Sequence, residues 1–298
     1  MSKKIIFKGA ATALVTPARA DGSPDPAAFS RLIDMQIGEG IDALVACGTT
    51  GEAATMSEKE YEEIVCAGAE ACGGRVPYIV GTGSNSTAAA IARTKRAAAL
   101  GADAALVVTP YYNKATQKGL IASFTAIAEA SPVPLILYNV PLRTGIGIRS
   151  ETYAELCLHP NIAGIKEACG DISAVAETLS LVGENAALYS GNDDQIVPIL
   201  ALGGKGVISV LSNPLPAKTA EICRRFFEGD TAGSAALQLR LLPLIKALFS
   251  EVNPIPAKAA MAALGYGENV LRLPLTPMDE EKRKALISLM RKEGLPVA

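Results

Sequence analysis

The residue with the most chemical consequence is Lys166, which follows the apolar run Ile162-Ala163-Gly164-Ile165. A lysine ammonium normally titrates near ~10.4, so at the end of a buried run it must be either paired or held neutral. Paired with Glu167 it is a strand-end ion pair. Held neutral, it is an amine nucleophile able to condense with a carbonyl. Other polar groups stand where further apolar runs stop. Tyr138 ends Leu135-Ile136-Leu137 and offers a phenol for proton transfer, or else is a core tyrosine with a satisfied hydroxyl. Thr49 and Thr50, between Gly48 and Gly51, offer hydroxyls and approachable backbone N–H groups suited to a carboxylate, or else form a tight turn. Arg143, in Pro-Leu-Arg-Thr-Gly, is a fork-shaped donor suited to a second carboxylate, or else a surface arginine.

Composition removes several alternatives. The single histidine, His159, lies in Leu-His-Pro-Asn, where a helix-end or solvated role is expected. A multi-histidine zinc site is therefore impossible, and a Ser-His-Asp triad would depend on that one residue. Six cysteines (Cys47, Cys66, Cys72, Cys157, Cys169, Cys223) show no C-x-x-C spacing and read as structural thiols of a reducing compartment. The net charge of -2 comes without a basic block, which argues against a nucleic-acid partner. Lys3 and Lys4 precede only Ile5, Ile6 and Phe7 before Lys8, too short a stretch for a signal peptide or membrane span; a cytoplasmic enzyme is expected.

The elements that must position these residues alternate along the 298-residue chain. Candidate strands fall at 9–16, 41–47, 77–82, 104–109, 134–140, 162–166, 187–191 and 206–211, with helical patterns between them. Runs such as Ala105-Leu106-Val107-Val108 are apolar on both faces, as parallel strands covered by helices require. Phe29, Leu32, Ile33 and Ile37 predict a helix stopped at Gly38–Gly40, Ser57 with Glu60 predicts a capping box, and Asp171 predicts a cap for Ile172, Val175, Leu179 and Val182. An α/β fold of eight strand-helix units reads as a (β/α)8 TIM barrel, with an open doubly wound sheet as the alternative. No G-x-G-x-x-G opens the first helix, which favours the barrel. Strand signals cease near residue 228. Leu237, Leu241, Leu244, Ile245 and Leu248 then form one helical stripe interrupted by Pro243, with further helices expected at 254–265 and 277–291. The division expected is a barrel domain at 1–228 and a small C-terminal helical domain at 229–298.

In a barrel, working residues cluster at the carboxyl ends of strands. Five motifs stand there in order: G-T-T-G-E at 48–52, T-P-Y-Y-N at 109–113, Y-N-V-P-x-R-T-G at 138–145, G-I-K-E-A at 164–168 and S-G-N-D-D at 190–194. Together the motifs resemble the dihydrodipicolinate synthase family, within the superfamily of N-acetylneuraminate lyase and the pyruvate-dependent class I aldolases. The resemblance spans essentially the whole chain, including Asn253-Pro254-Ile255-Pro256-Ala257-Lys258. It implies a Schiff-base lyase that condenses pyruvate with L-aspartate 4-semialdehyde to 4-hydroxy-tetrahydrodipicolinate, the first committed step of diaminopimelate and lysine biosynthesis. It also implies a homotetramer built from two tight dimers, and no metal or organic cofactor.

By the same resemblance, Lys166 forms the imine and Tyr138 is the central acid/base. Thr49 and Tyr112 complete a proton relay, with Tyr112 lent by the neighbouring subunit. Thr50 holds the pyruvate carboxylate, Arg143 holds that of the aldehyde, and the carbonyls of Gly191 and Ile208 face the site. Relatives that cleave N-acetylneuraminate or keto-deoxy sugar acids generally lack an arginine at position 143, so Arg143 favours the synthase over those aldolases. A catalytically silent barrel that binds a keto acid is the reading from another class. Lysine-inhibited members carry histidines and a glutamate where this chain has Glu58, Tyr61 and Ala89, although Asn85 and Tyr111 match. Weak or absent inhibition by lysine is expected.

Overall fold

In the computed structural model, which describes residues 5–297, eight parallel strands close into one barrel. Lys3 and Lys4 lie outside the described residues. The strands are β1 (Gly9–Ala13), β2 (Ala43–Ala46), β3 (Tyr78–Gly81), β4 (Ala104–Val108), β5 (Leu135–Asn139), β6 (Ile162–Glu167), β7 (Ala187–Ser190) and β8 (Gly206–Ser209). Each falls within its expected run, except that β6 continues one residue further to Glu167. β8 returns to β1 with Ile208 opposite Ala11, which decides for the closed barrel against the open sheet.

Period-two alternation sorts the side chains into two layers. Ala11, Ala43, Ala104 and Ala187 point into the barrel, where their small volume leaves room for larger groups. At the base, Phe7 and Tyr189 stack with ring centroids 4.1 Å apart and planes 9° apart. The Tyr189 hydroxyl donates to the Phe7 carbonyl at 2.8 Å, so this aromatic plug carries no unsatisfied phenol. Leu135, Leu137, Ile162 and Ile165 point outward and pack under the helices.

The helical ring comprises α1 (Pro26–Gly38), α2 (Glu58–Cys72), α3 (Thr87–Ala99), α4 (Gln117–Ala130), α5 (Pro141–Thr144), α6 (Ser150–Leu156), α7 (Ile172–Val182), α8 (Ile196–Ala201) and α9 (Pro216–Phe227). The caps are as the sequence predicts. Ser57 and Glu60 form the reciprocal box at α2, and the Asp171 carboxylate accepts from Ser173 N and Ala174 N at α7. On α7 the fully buried positions are Val175, Thr178 and Val182, while Ile172 and Leu179 are only partly covered. The stripe is thus rotated slightly from the apolar one. Thr178 is tolerated because it shares a hydrogen bond with Ser150 at 3.0 Å. His159 ends a helical turn, its Nδ1 accepting from Asn161 N at 3.1 Å.

Three further helices follow: α10 (Thr231–Leu248), α11 (Ile255–Ala263) and α12 (Glu280–Lys292). α10 runs through Pro243 without ending, and all five residues of its predicted stripe are buried. This segment is tied to the loop after β2 by charge. Lys258 of α11 bonds Glu52 at 2.6 Å, with each side chain only 4% exposed. Glu52 holds a left-handed backbone (φ +55°) and also accepts from Arg272 N at 3.1 Å. Arg272 itself pairs with Glu60 at 2.5 Å. Burial draws the Lys258 ammonium below its ordinary range, and the Glu52 carboxylate opposes that shift.

A buried pair behaves asymmetrically when one member is removed. Lys258→Met alone should cost about 3–5 kcal/mol by leaving the Glu52 carboxylate buried and unpaired, whereas Lys258→Met with Glu52→Gln should recover most of that loss. Urea denaturation of the two variants measures this, and equal destabilisation in both would contradict it.

Candidate active site

Lys166 and Tyr138 are made neighbours by register. A shift between Leu135 and Ile136 sets Tyr138 opposite Lys166 and Asn139 opposite Glu167. The inward pair then meets inside the barrel, with the Lys166 Nζ 4.4 Å from the centroid of the Tyr138 ring. Among the described residues no carboxylate forms an ion pair with this amine. Burial pulls its pKa down to about 8; Asp193 opposes the shift and Arg143 adds to it. Tyr138 moves the other way: burial raises its phenol, while a hydrogen bond with the Thr49 side chain and the charge of Arg143 lower it. Amine and phenol are thereby moved apart in acidity: the amine gives up its proton more readily, while the phenol keeps its own and can serve as a proton donor.

The strand-end ion pair between Lys166 and Glu167 does not form. Glu167 faces the opposite side of β6, accepting from Asn139 Nδ2 at 2.9 and 3.1 Å, from the Tyr153 hydroxyl at 3.1 Å and from Cys169 N at 2.8 Å. Behind the reactive face these four bonds fasten the ends of β5 and β6. Asp193 performs a similar task across β7 and β8. Its Oδ2 accepts from Val210 N at 3.0 Å and Leu211 N at 2.8 Å, fixing the chain just after Ile208. Its Oδ1 is buried without a partner.

The loop leaving β2 is a tight turn, closed by bonds from Gly51 N to Gly48 O at 3.2 Å and from Glu52 N to Thr49 O at 3.1 Å. A Cβ on Gly51 would lie only 3.2 Å from the Thr16 hydroxyl and from Cys47 N, so glycine suits this close approach. The tight-turn reading of this segment therefore holds, and both threonines ride on that turn. Arg143 rides on α5, whose Pro141 fixes the first turn and whose Thr144 hydroxyl accepts from Thr109 at 3.1 Å and donates to Ile146 O at 2.8 Å. From there the guanidinium donates to the Asn253 carbonyl at 3.0 Å. The Asn253 side chain in turn donates to Thr50 Oγ1 at 3.0 Å.

A cavity of about 350 Å³ opens between these elements, lined by Thr49, Tyr138, Arg143 and Asn253 and reaching Arg93 and Tyr111 on one side. Lys166 lies behind the Tyr138 ring rather than on the lining, one layer deeper than a residue aimed straight into the mouth. Depth is what lowers its basicity.

Of the other predicted residues, Gly191 sits where β6 and β7 nearly touch. Its N–H donates to Glu167 O at 2.7 Å, and an added Cβ would come within 2.7 Å of the Ala168 Cβ. Ile208 is buried in the same interior cluster as Tyr138. Tyr112 is not brought to the site within its own chain. It is 90% exposed on a left-handed backbone (φ +73°), a conformation that costs energy for a bulky residue. At the positions compared with lysine-inhibited members, Glu58 is ion-paired to Arg93, and the buried Tyr61 donates to Gly81 O at 2.9 Å.

Sequence reasoning did not single out Glu52, Asp193 or Asn253. Two of them lie inside quoted motifs, and Asn253 opens the N-P-I-P-A-K segment. Their partners are up to 220 residues away in the chain, so local pattern holds no sign of what they bind.

A closed α/β barrel with a buried, unpaired amine beneath a phenol at its carboxyl-terminal face has the layout of an imine-forming enzyme. The chain matches the model of the dihydrodipicolinate synthetase family over residues 6–293. It is 52% identical over 290 residues to the 4-hydroxy-tetrahydrodipicolinate synthase of Alkaliphilus oremlandii, covering 97% of this chain and 100% of that one. It superimposes on the dihydrodipicolinate synthase of Thermotoga maritima with a TM-score of 0.95 at 42% identity, covering 97% and 99% of the two chains. The Acinetobacter baumannii enzyme, whose structure is complexed with pyruvate, gives 0.94 at 41% identity, covering 97% and 99%. The chain belongs to the dihydrodipicolinate synthetase family.

Lys166 sets an expected pH profile. The neutral fraction of an amine with a pKa of about 8 falls about tenfold per pH unit below that value. Borohydride trapping of pyruvate on the protein should therefore rise with pH and level off above about 8. Lys166→Met should abolish trapping while leaving a folded barrel. A profile still climbing to the ordinary lysine value of 10.5 would show that burial does not tune this amine.

Proposed function

We propose that this chain is a Schiff-base lyase that condenses pyruvate with L-aspartate 4-semialdehyde to give 4-hydroxy-tetrahydrodipicolinate, the entry to diaminopimelate and lysine biosynthesis. The observation that carries the mechanism is the unpaired Lys166 amine, buried 4.4 Å from the Tyr138 ring centroid. Relatives named as 4-hydroxy-tetrahydrodipicolinate synthase at about half identity over nearly the whole chain support the choice of reaction. In the proposed sequence, Lys166 attacks the pyruvate ketone. Tyr138, bonded to Thr49, passes the protons that turn the carbinolamine into imine and water. Loss of a methyl proton gives the enamine, whose carbon attacks the aldehyde. The amine of the second substrate then displaces Lys166 as the ring closes.

Binding follows charge. Thr50 and its backbone take the pyruvate carboxylate, Arg143 takes the carboxylate of the aldehyde, and the carbonyls of Gly191 and Ile208 border the site. Residues 1–228 are taken as the catalytic barrel domain and 229–298 as the helical domain. The proposed assembly is a homotetramer of two tight dimers in which Tyr112 completes the relay of a second copy. Its exposure on a strained backbone supports that role. A cytoplasmic setting fits six cysteines that form no disulfide, and among the described residues no helix is long and apolar enough to cross a membrane.

Steady-state turnover with pyruvate and aspartate semialdehyde tests the reaction. Arg143→Ala should raise the KM for the aldehyde by about tenfold or more, and added lysine should inhibit weakly or not at all. Turnover of N-acetylneuraminate or a keto-deoxy sugar acid in place of these substrates would overturn the assignment. Mixing two inactive variants, Lys166→Ala and Tyr112→Phe, tests the shared site. If the phenol is lent across a two-fold interface, random mixed dimers should restore about a quarter of the activity; within one chain they restore none.

A further inference from the structure

Asn253 lies between α10 and α11, yet it touches both groups assigned to substrate carboxylates. Its side-chain Nδ2 reaches Thr50 Oγ1 at 3.0 Å, and its backbone carbonyl receives the Arg143 guanidinium at 3.0 Å. The residue is 6% exposed and borders the cavity. Its Oδ1 is buried with no hydrogen-bond partner, an arrangement that costs free energy and persists only where the surroundings hold it. The neighbouring clasp of Lys258 on Glu52 fixes the same loop two residues beyond Thr50. Thr50 and Arg143 belong to different strand ends, after β2 and β5, and Asn253 is a direct bridge between them.

We propose that Asn253 is a positioning residue that sets the Thr50 hydroxyl for the pyruvate carboxylate and, through its carbonyl, sets Arg143 for the carboxylate of the second substrate. This rests on the pyruvate-condensing activity proposed above. The chemistry divides the two tasks. The side chain acts on Thr50, so truncating it should affect pyruvate; the carbonyl acts on Arg143 and survives any side-chain change. Thr50 accepts from the amide and so keeps its own hydroxyl proton free for a carboxylate oxygen. An acidic side chain at 253 would capture that proton and add a negative charge beside two anion-binding groups.

The test uses the full-length protein with Asn253→Ala and Asn253→Asp, reading three quantities: the pyruvate concentration for half-maximal borohydride trapping on Lys166, the KM for aspartate semialdehyde, and the melting temperature. Asn253→Ala should raise the half-trapping concentration about five- to tenfold, with a smaller change in the aldehyde KM. Asn253→Asp, nearly isosteric, should weaken pyruvate capture more than the alanine variant while melting closer to the unsubstituted protein. A role confined to folding gives the reverse: the aspartate variant is the milder, melting temperature falls and pyruvate affinity holds. That result, or unchanged trapping in both variants, overturns the proposal. If the unsubstituted protein traps no pyruvate at all, the condensing activity itself fails, and the positioning role fails with it.

Discussion

Everything in this barrel depends on keeping one ammonium from being comfortable. Lysine is strongly hydrated when charged, and a buried carboxylate beside it would restore most of what burial removes. The fold avoids that by turning Glu167, the adjacent residue, to the outer face of β6 and giving its oxygens four hydrogen bonds from three other donors. Asp193 acts on the amine only as a more distant charge, with one oxygen committed to the backbone after Ile208. Arg143 contributes repulsion from the other side. The lowered basicity of the amine is a collective property of strand alternation, burial and where the acids are sent.

The polar wall behind the strands therefore matters as much as the groups in front. Asn139 and Glu167 form one register pair outside the barrel, and Tyr138 and Lys166 form the adjacent pair inside. Locking the outer members holds the inner ones in register without placing any charge in the cavity. The C-terminal segment does comparable work on the β2 loop, where Lys258 and Arg272 converge on Glu52. The helical segment thereby anchors a loop at the carboxyl-terminal face of the barrel.

Much of this was legible from the chain alone, for a physical reason. Parallel strands buried on both faces leave nearly continuous apolar runs, and the helix caps at Ser57 and Asp171 are local chemistry readable over three residues. The candidate site groups stand where those runs end. What could not be read was direction and distance. Nothing local distinguishes Lys166 inward and Glu167 outward from the paired alternative, because that choice is made by the register with β5. Asn253 was hidden for a related reason: its partners come from loops more than a hundred residues away. Thr178 on α7 shows the same limit in miniature, since a hydroxyl satisfied by Ser150 is buried where apolar periodicity favoured Leu179.

The stacked Phe7 and Tyr189 rings give the reaction a direction in space. With the base of the barrel stoppered, everything that reaches the amine must arrive through the mouth above the Tyr138 ring, and everything released must leave the same way. A single doorway imposes an order of service. In the proposed reaction the smaller ketone is expected to be seated at the bottom first, because it must join the amine before the aldehyde has an enamine to meet. Sequential loading then needs no moving gate; it is a consequence of a corridor closed at one end.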